Sequence, residues 1–394
     1  MKPLDLVARF QDELTAWRRD IHAHPELGFE ENRTADLVAE KLSSFGIDVH
    51  RGLGKTGVVG TLRVGNHPTA IGLRADMDAL PIHEANTFDH RSVYAGKMHA
   101  CGHDGHTTML LGAARYLAQT RNFEGCVHFV FQPAEEGLGG GDAMIRDGLF
   151  EKFPMEAIFG MHNRPSLPSG QFAIRSGPMM AGGAFFDITI DGKGAHGGRP
   201  DTSVDPVLVA AHITTALQSI VSRNSRPTEP LVISVTQMHA GDAYNVIPQS
   251  ATMSGTVRAF TEEVMGLAQT RIREISRDVA KAFGASATMD FRIIFLPIIN
   301  TASETAFAAD TAAELVGEEN TERNGPQQMS SEDFSYMLDK CPGAYMYIGN
   351  KGGASDREVH NPGYDFNDDI LALGASYYAR LIERRLAKRE DLDG

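Results

Sequence analysis

"TTMLLGAARYLAQ" over residues 107–119 leads into "CVHFVFQP" over residues 126–133. The first stretch carries apolar groups at helical spacing, and the second is a short continuous apolar run closed by proline, as in a strand buried on both faces. The same alternation continues outward. "GVVGTLRV" (57–64) and "TAIGLRAD" (69–76) read as strands before the pair, and "EAIFGMHN" (156–163) as a strand after it. Leu4, Val7, Phe10, Leu14 and Trp17 recur at helical spacing, and a second helix is predicted from Thr34 to Phe45 with its stop at Gly46. Strands alternating with helices predict an α/β fold with a mostly parallel sheet covered by helices on both faces.

From about Phe185 the pattern changes. "FFDITIDGKG", a helix over "DPVLVAAHITTALQSIVSR", strands at "LVISVTQMHAG" and "ATMSGTVRAF", a helix from Glu262 to Phe283 and "ATMDFRIIFLP" follow in turn. That β-α-β-β-α-β order is the ferredoxin-like signature and predicts a small antiparallel sheet of its own. After Pro297 the α/β pattern resumes, with helices near 303–316 and 331–339, a strand at 344–350 and a closing helix from Asp368 to Lys388. The expected organisation is a catalytic domain of residues 1–184 and 297–394, interrupted by an α+β domain of residues 185–296.

The chain has 394 residues, 42% of them hydrophobic, enough for more than one core. Its 51 acidic and 37 basic residues give a formal charge of −14, which disfavours nucleic acid and anionic membrane surfaces as partners. Cys101, Cys126 and Cys341 are too few and too scattered for a disulfide framework. The N-terminal stretch shows no uninterrupted apolar core of signal-peptide type, and no run approaches the ~20 apolar residues of a membrane span. A cytoplasmic protein is the expectation.

Polar residues gather where the apolar runs end. Asp76 and Asp78 close one, Glu135 and Glu136 the next, His162 a third, and open α/β sheets bind ligands beyond such carboxyl ends. "MHACGHDGH" (98–106) adds a thiol, three imidazoles and a carboxylate within nine residues. Cys101, His103, Glu136, His162 and His360 are therefore candidate ligands for a divalent metal. Taken singly, each has a plain reading: a histidine at a strand end is ordinarily a hydrogen-bonded residue, and a lone cysteine a small hydrophobe. Five at five element ends point to metal. Adjacent side chains such as Glu135 and Glu136 point in different directions and can divide the work of base and ligand. Gly139, Gly140 and Gly141 lack the G-x-x-x-x-G-K-[ST] order of a phosphate loop and read as a tight turn beside these carboxylates.

The motifs "RADMDALP", "HACGHDGH", "QPAEEGLGGG", "GMHN", "GKGAHGGRPDTSVDP", "NVIP", "GTVRAF", "SSEDF" and "VHNP" appear in an order that resembles the aminoacylase-type metallopeptidases, in the branch of hippurate hydrolase and the indole-3-acetyl-amino-acid hydrolases. The resemblance runs from "HPELGFEE" (24–31) to "HNPGYDFND" (360–368). It implies two divalent ions per subunit, zinc or manganese with cobalt or nickel as further options, held by Cys101, His103, Glu136, His162 and His360, with Glu135 as general base. Elsewhere in the wider family an aspartate bridges the ions and a histidine of the "DMD" region is a ligand. Here Asp76 and Asp78 occupy that region, so Cys101 is expected in the bridging place and Asp78 behind a ligand. His106 and Asp104 are expected at the helix start or behind the ligands.

In the activity so implied, an activated water attacks an amide carbonyl and Glu135 carries its proton to the departing amine. His196 is the candidate donor to the developing oxyanion, at a family position that often reaches the partner subunit's site, and Asn245 and Arg258 are candidates for a substrate carboxylate. The expected substrate is an N-acyl or N-aroyl amino acid, in a homodimer or higher oligomer formed through the inserted domain. A metallo-dipeptidase or an N-acetyl-diaminopimelate-type deacetylase is an alternative. From another class, a non-catalytic binder of amino-acid conjugates is a rival, marked by loss of Glu135 or of the ligands, and neither is lost. A serine or cysteine hydrolase built on Cys101 is disfavoured, since no G-x-S-x-G elbow is present.

Overall fold

Every residue of the strands Ala70–Asp76 and Gly125–Gln132 is buried, which fits their nearly unbroken apolar sequences and places both inside a sheet covered on its two faces. The computed structural model describes residues 3–352 and 357–388. It divides into two units: residues 1–177, 299–326 and 333–394 form the first, and residues 178–298 with 327–332 the second.

The first unit is built on an eight-stranded sheet in the order Asp48–Leu53, Gly57–Val64, Gly125–Gln132, Ala70–Asp76, Ala157–Pro168, Gly343–Lys351, Phe172–Ala173, Thr321–Glu322. The four strands from Gly125–Gln132 to Gly343–Lys351 are mutually parallel, and antiparallel pairs flank them on both sides. The sheet is thus mixed, with a parallel centre. Its centre carries functional side chains because Asp76 and Gln132 close two of the parallel strands at one edge, and His162, midway along the longer strand Ala157–Pro168 that runs on past them, lies level with those ends. Helices His103–Thr120 and Leu371–Arg385 pack against each other, and Leu110, Leu111, Ala114, Leu371, Ala375 and Tyr378 join the main core. The predicted N-terminal helix is broken into Pro3–Val7, a 3-10 turn Ala8–Phe10 and Gln11–Ala23.

The second unit has a four-stranded antiparallel sheet in the order Leu231–His239, Ser250–Ala259, Gly182–Asp191, Ser286–Phe295, with helices Pro206–Ser219 and Glu262–Ala282. Numbered within the unit this order is 2-3-1-4, the ferredoxin-like arrangement. It has its own core, centred on Phe186, Ile188, Ile190, Ile213, Met253, Val257 and Ile272. The expected limits need correction. The boundary at 184/185 falls inside the strand Gly182–Asp191, and the unit begins at Pro178; residues 327–332 also belong to it, because Gln328 N–H donates to Met179 O and Ala181 N–H to Gln328 O within the same unit. Among the described residues, no helix is long and apolar enough to cross a membrane.

Candidate metal centre

Helix His103–Thr120 starts where Gly102 takes a left-handed conformation, φ +94°, and a Cβ there would lie 2.3 Å from Asn163 Nδ2. A Cβ on Gly105 would strike the Phe366 ring at 2.2 Å. Both glycines of "ACGHDGH" are therefore required by close approach, and they let Cys101 and His103 face the strand ends. Asn163 fixes the same turn, donating from Nδ2 to Cys101 O at 2.6 Å and accepting the Tyr364 hydroxyl at 2.7 Å.

The structure brings five of the expected residues together. The ligand atoms of Cys101, His103 and His162 lie within 4.8 Å of one another, as do those of Cys101, Glu136 and His360, and those of His103, Glu135 and Glu136. Cys101 Sγ is 3.4 Å from His162 Nε2, and His360 Nε2 is 3.3 Å from Glu136 Oε1. Cys101 and Glu136 appear with more than one partner set, so the arrangement has room for more than one cation.

Several observations fit a cation here. His103 Nε2 and Glu136 Oε1 are buried and make no hydrogen bond, the latter having an ion-pair contact to His360 beside it, although each sits among potential ligand atoms. Buried polar atoms left in this state cost roughly 1–3 kcal/mol each, so they call for a counterpart. The His103 ring is oriented from behind: Nδ1–H donates to Asp78 Oδ1 at 3.1 Å, which leaves Nε2 available to a cation. His162 Nδ1–H donates to Asn163 O at 2.6 Å, and burial, followed by the nearby His106, holds this imidazole well below its ordinary pKa, as a neutral ligand must be. Burial and then the carboxylates of Glu136, Glu135 and Asp76 push the Cys101 thiol well up, so thiolate here requires a positive charge beside it. A sulfur, imidazoles and carboxylates form a donor set for a divalent metal.

A second convergent group, Asp76, His103 and His106, is a different case. His106 donates from Nδ1 to Asp76 Oδ1 at 2.6 Å and accepts Asn163 N–H on Nε2 at 3.0 Å, so both ring nitrogens are used. Asp76 Oδ2 accepts Arg74 at 2.7 Å, and the fully buried Arg74 also meets Gln132 and Asp333. This group braces the strand ends. Asp104 lies in a separate buried ion cluster, accepting His22 Nδ1–H at 2.8 Å beside Arg18.

Asp78 is bifunctional. Oδ1 holds His103, and Oδ2 accepts Glu136 N–H at 3.0 Å. Glu135 is buried, with Oε1 3.4 Å from Asp333 N. Asp333 itself anchors the turn below, since its Oδ2 accepts Gly141 N–H at 2.8 Å and its Oδ1 accepts Gln132 Nε2–H at 2.6 Å. Asp333 and Arg74 escape a sequence reading of roles, although "SSEDF" and "RADMD" display them; their function depends on partners 201 and 259 residues away.

His196, Asn245 and Arg258 belong to the second unit. His196 pairs with Val246 in a two-stranded ribbon, and Asn245 O accepts Gly197 N–H at 2.7 Å, so His196 and Asn245 are neighbours. His196 is exposed, and its Nδ1 accepts Gly198 N–H at 3.0 Å. The neutral ring therefore carries its proton on Nε2. Arg258 is separated from them. It pairs with Gly183, while Ser250, at the ribbon end of the same strand, pairs with Asp191. Eight residues of strand span roughly 25 Å. The two candidate carboxylate binders of one chain thus do not meet.

An α/β unit whose strand ends converge on a sulfur, imidazoles and paired carboxylates defines a metallohydrolase-type protein, and its ligand clusters support divalent metal. The chain belongs to peptidase family M20/M25/M40, whose family model matches residues 72–384. It is 45% identical over 376 residues to a hippurate hydrolase of Campylobacter jejuni, covering 95% of this chain and 97% of that protein. It is 39% identical over 384 residues to the IAA-amino acid hydrolase ILR1-like 4 of Arabidopsis thaliana, covering 96% and 86%. Its structure resembles that of a Bacillus subtilis protein described as a dinuclear metal binding peptidase of the M20 family, with a TM-score of 0.84, 33% identity and coverage of 96% and 99%.

Proposed function

We propose that the chain hydrolyses the amide bond of N-acyl or N-aroyl amino acids and related conjugates, with two divalent cations held by Cys101, His103, Glu136, His162 and His360. The observation that carries this reading is the meeting of these five side chains beside the buried Glu135. Similarity to a hippurate hydrolase and an IAA-amino acid hydrolase supports the substrate class. Sulfur among the ligands favours zinc, with manganese, cobalt and nickel as the other metals the donor set accepts.

When bound, the cations polarise the amide carbonyl and acidify the attacking water. Glu135 takes a proton from that water as its oxygen bonds to the carbonyl carbon, then delivers it to the amine nitrogen as the C–N bond breaks. Asp78 keeps His103 and the Glu136 backbone in place through both steps. His196, with its proton on Nε2, is suited to donate to the oxyanion, and Asn245 and Arg258 to bind carboxylate. A homodimer formed through the second unit agrees with the exposed Val207, Leu208, Tyr244 and Val246 there. Three buried cysteines without a disulfide suit a reducing setting such as the cytoplasm.

The test is Glu135→Gln with a panel of N-acyl amino acids. We expect turnover to drop by at least about 1,000-fold while metal content stays at two ions per chain. A Glu135→Gln protein that works at the parental rate rejects the reading.

A further inference from the structure

Glu31 belongs to "HPELGFEE", a motif for which the metal centre finds no use, yet its side chain is fully buried. Oε1 accepts the backbone N–H of Ala134 at 2.8 Å, and Oε2 accepts the Thr56 hydroxyl at 2.6 Å. Ala134 immediately precedes Glu135 and has φ +53°. A non-glycine residue in this left-handed region is disfavoured and persists only where its surroundings impose it. Here both sides of the residue are held, because Ala134 O accepts Gly140 N–H at 3.0 Å. The segment leading to Glu31 also abuts the turn: a Cβ on Gly28 would come within 3.1 Å of Ala134 Cα and Cβ.

We propose that Glu31 is a positioning residue: by holding the Ala134 N–H it imposes the left-handed turn that aims Glu135 at the reacting water. The claim rests on Glu135 being the base. Burial, then the nearby Asp78 charge, raises the Glu31 pKa to about 7 against the opposing bonds from Thr56 and Ala134, so burial works against its charged form while its two oxygens stay committed to those donors. No cation ligand touches Glu31 in any hydrogen bond described, which separates its action from metal binding.

The experiment compares Glu31→Ala, Glu31→Gln and Glu135→Gln on N-benzoylglycine with manganese, recording kcat, KM and bound metal. A misaimed base costs about 100-fold in rate. We expect Glu31→Ala to lower kcat by 10- to 100-fold with KM and metal content within twofold of the parent, and Glu31→Gln, which keeps an acceptor for the Ala134 N–H, to recover most of the loss. Parental kcat in Glu31→Ala, or a loss in Glu31→Gln as large as in Glu31→Ala, overturns the proposal. If Glu31→Ala does not fold, Glu31→Asp takes its place: its retracted carboxylate must lower kcat at least tenfold, and full activity overturns the claim. Glu135→Gln separates the two levels. An inactive Glu135→Gln beside an unaffected Glu31→Ala removes only the positioning role, whereas an active Glu135→Gln removes the base assignment whatever Glu31 does.

Discussion

Asp78 binds His103 through one carboxylate oxygen, at 3.1 Å from Nδ1, and the backbone N–H of Glu136 through the other, at 3.0 Å. One buried side chain therefore orients two of the proposed ligands, which lie 33 positions apart. Asp78→Asn can keep the bond to His103, but its amide then presents a donor to the Glu136 N–H. Loss of such support behind a ligand weakens metal binding by about 10- to 100-fold. A competition titration against a chromophoric chelator measures it, and an unchanged affinity for Asp78→Asn removes this role.

The proposed ligands, from 101–103, 136, 162 and 360, come from four remote stretches of the first unit. Bound metal should therefore stabilise the folded chain strongly, by about 4 kcal/mol at a thousandfold excess over Kd. Stripping with a chelator should lower Tm by on the order of 10 °C, and readdition should restore it. His360→Ala should show a smaller metal-dependent rise. Differential scanning calorimetry that finds no metal-dependent change contradicts the ligand set.

The His22–Asp104 pair gives the protein a pH limit on its alkaline side. Burial opposes a charge on His22, but hydrogen bonds to Asp104 and Glu84 outweigh it and raise its pKa from 6.5 to about 9. The folded-state value lies above the unfolded one, so the stabilisation is complete below about pH 6.5 and is lost as pH rises through about 9. Its size is on the order of 3 kcal/mol. Asp104, opposed by burial but held well below its ordinary value by His22, contributes in the other direction, and its share is lost only in strong acid. Urea unfolding of the metal-free protein should show stability falling between pH 7 and 10, and His22→Gln should flatten that limb. A limb equally steep in the variant shows that another group titrates there.

Much of this organisation is legible in the chain. The strand Gly57–Val64 and the helix Ala302–Val316 lie within a residue of their expected limits, because continuous apolar runs and 3.6-residue periodicity are local signals. The gathering of Cys101, His103, Glu136, His162 and His360 was also readable, from Gly-, Pro- or Asn-rich surroundings in the sequence, although His162, expected at the end of a strand, lies midway along Ala157–Pro168. Bonds to the backbone were not. Nothing near Glu31 reveals that its oxygen meets Ala134, 103 residues away, and "HACGHDGH" does not disclose that His106 has both nitrogens engaged by Asp76 and Asn163. The start of the second unit was misplaced because "GPMM" (177–180) is a strand too short to show alternation.

The strand Ser250–Ala259 acts as a yardstick. Arg258 lies near one end, and the short ribbon beside which His196 and Asn245 meet follows the other, so a molecule the size of a benzoylated amino acid is too short to be clasped at both places in one copy. If all three side chains grip the same molecule, each grip must borrow from two polypeptides, and mixing one protomer crippled at His196 with another crippled at Arg258 would restore a fraction of the working sites that neither possesses by itself.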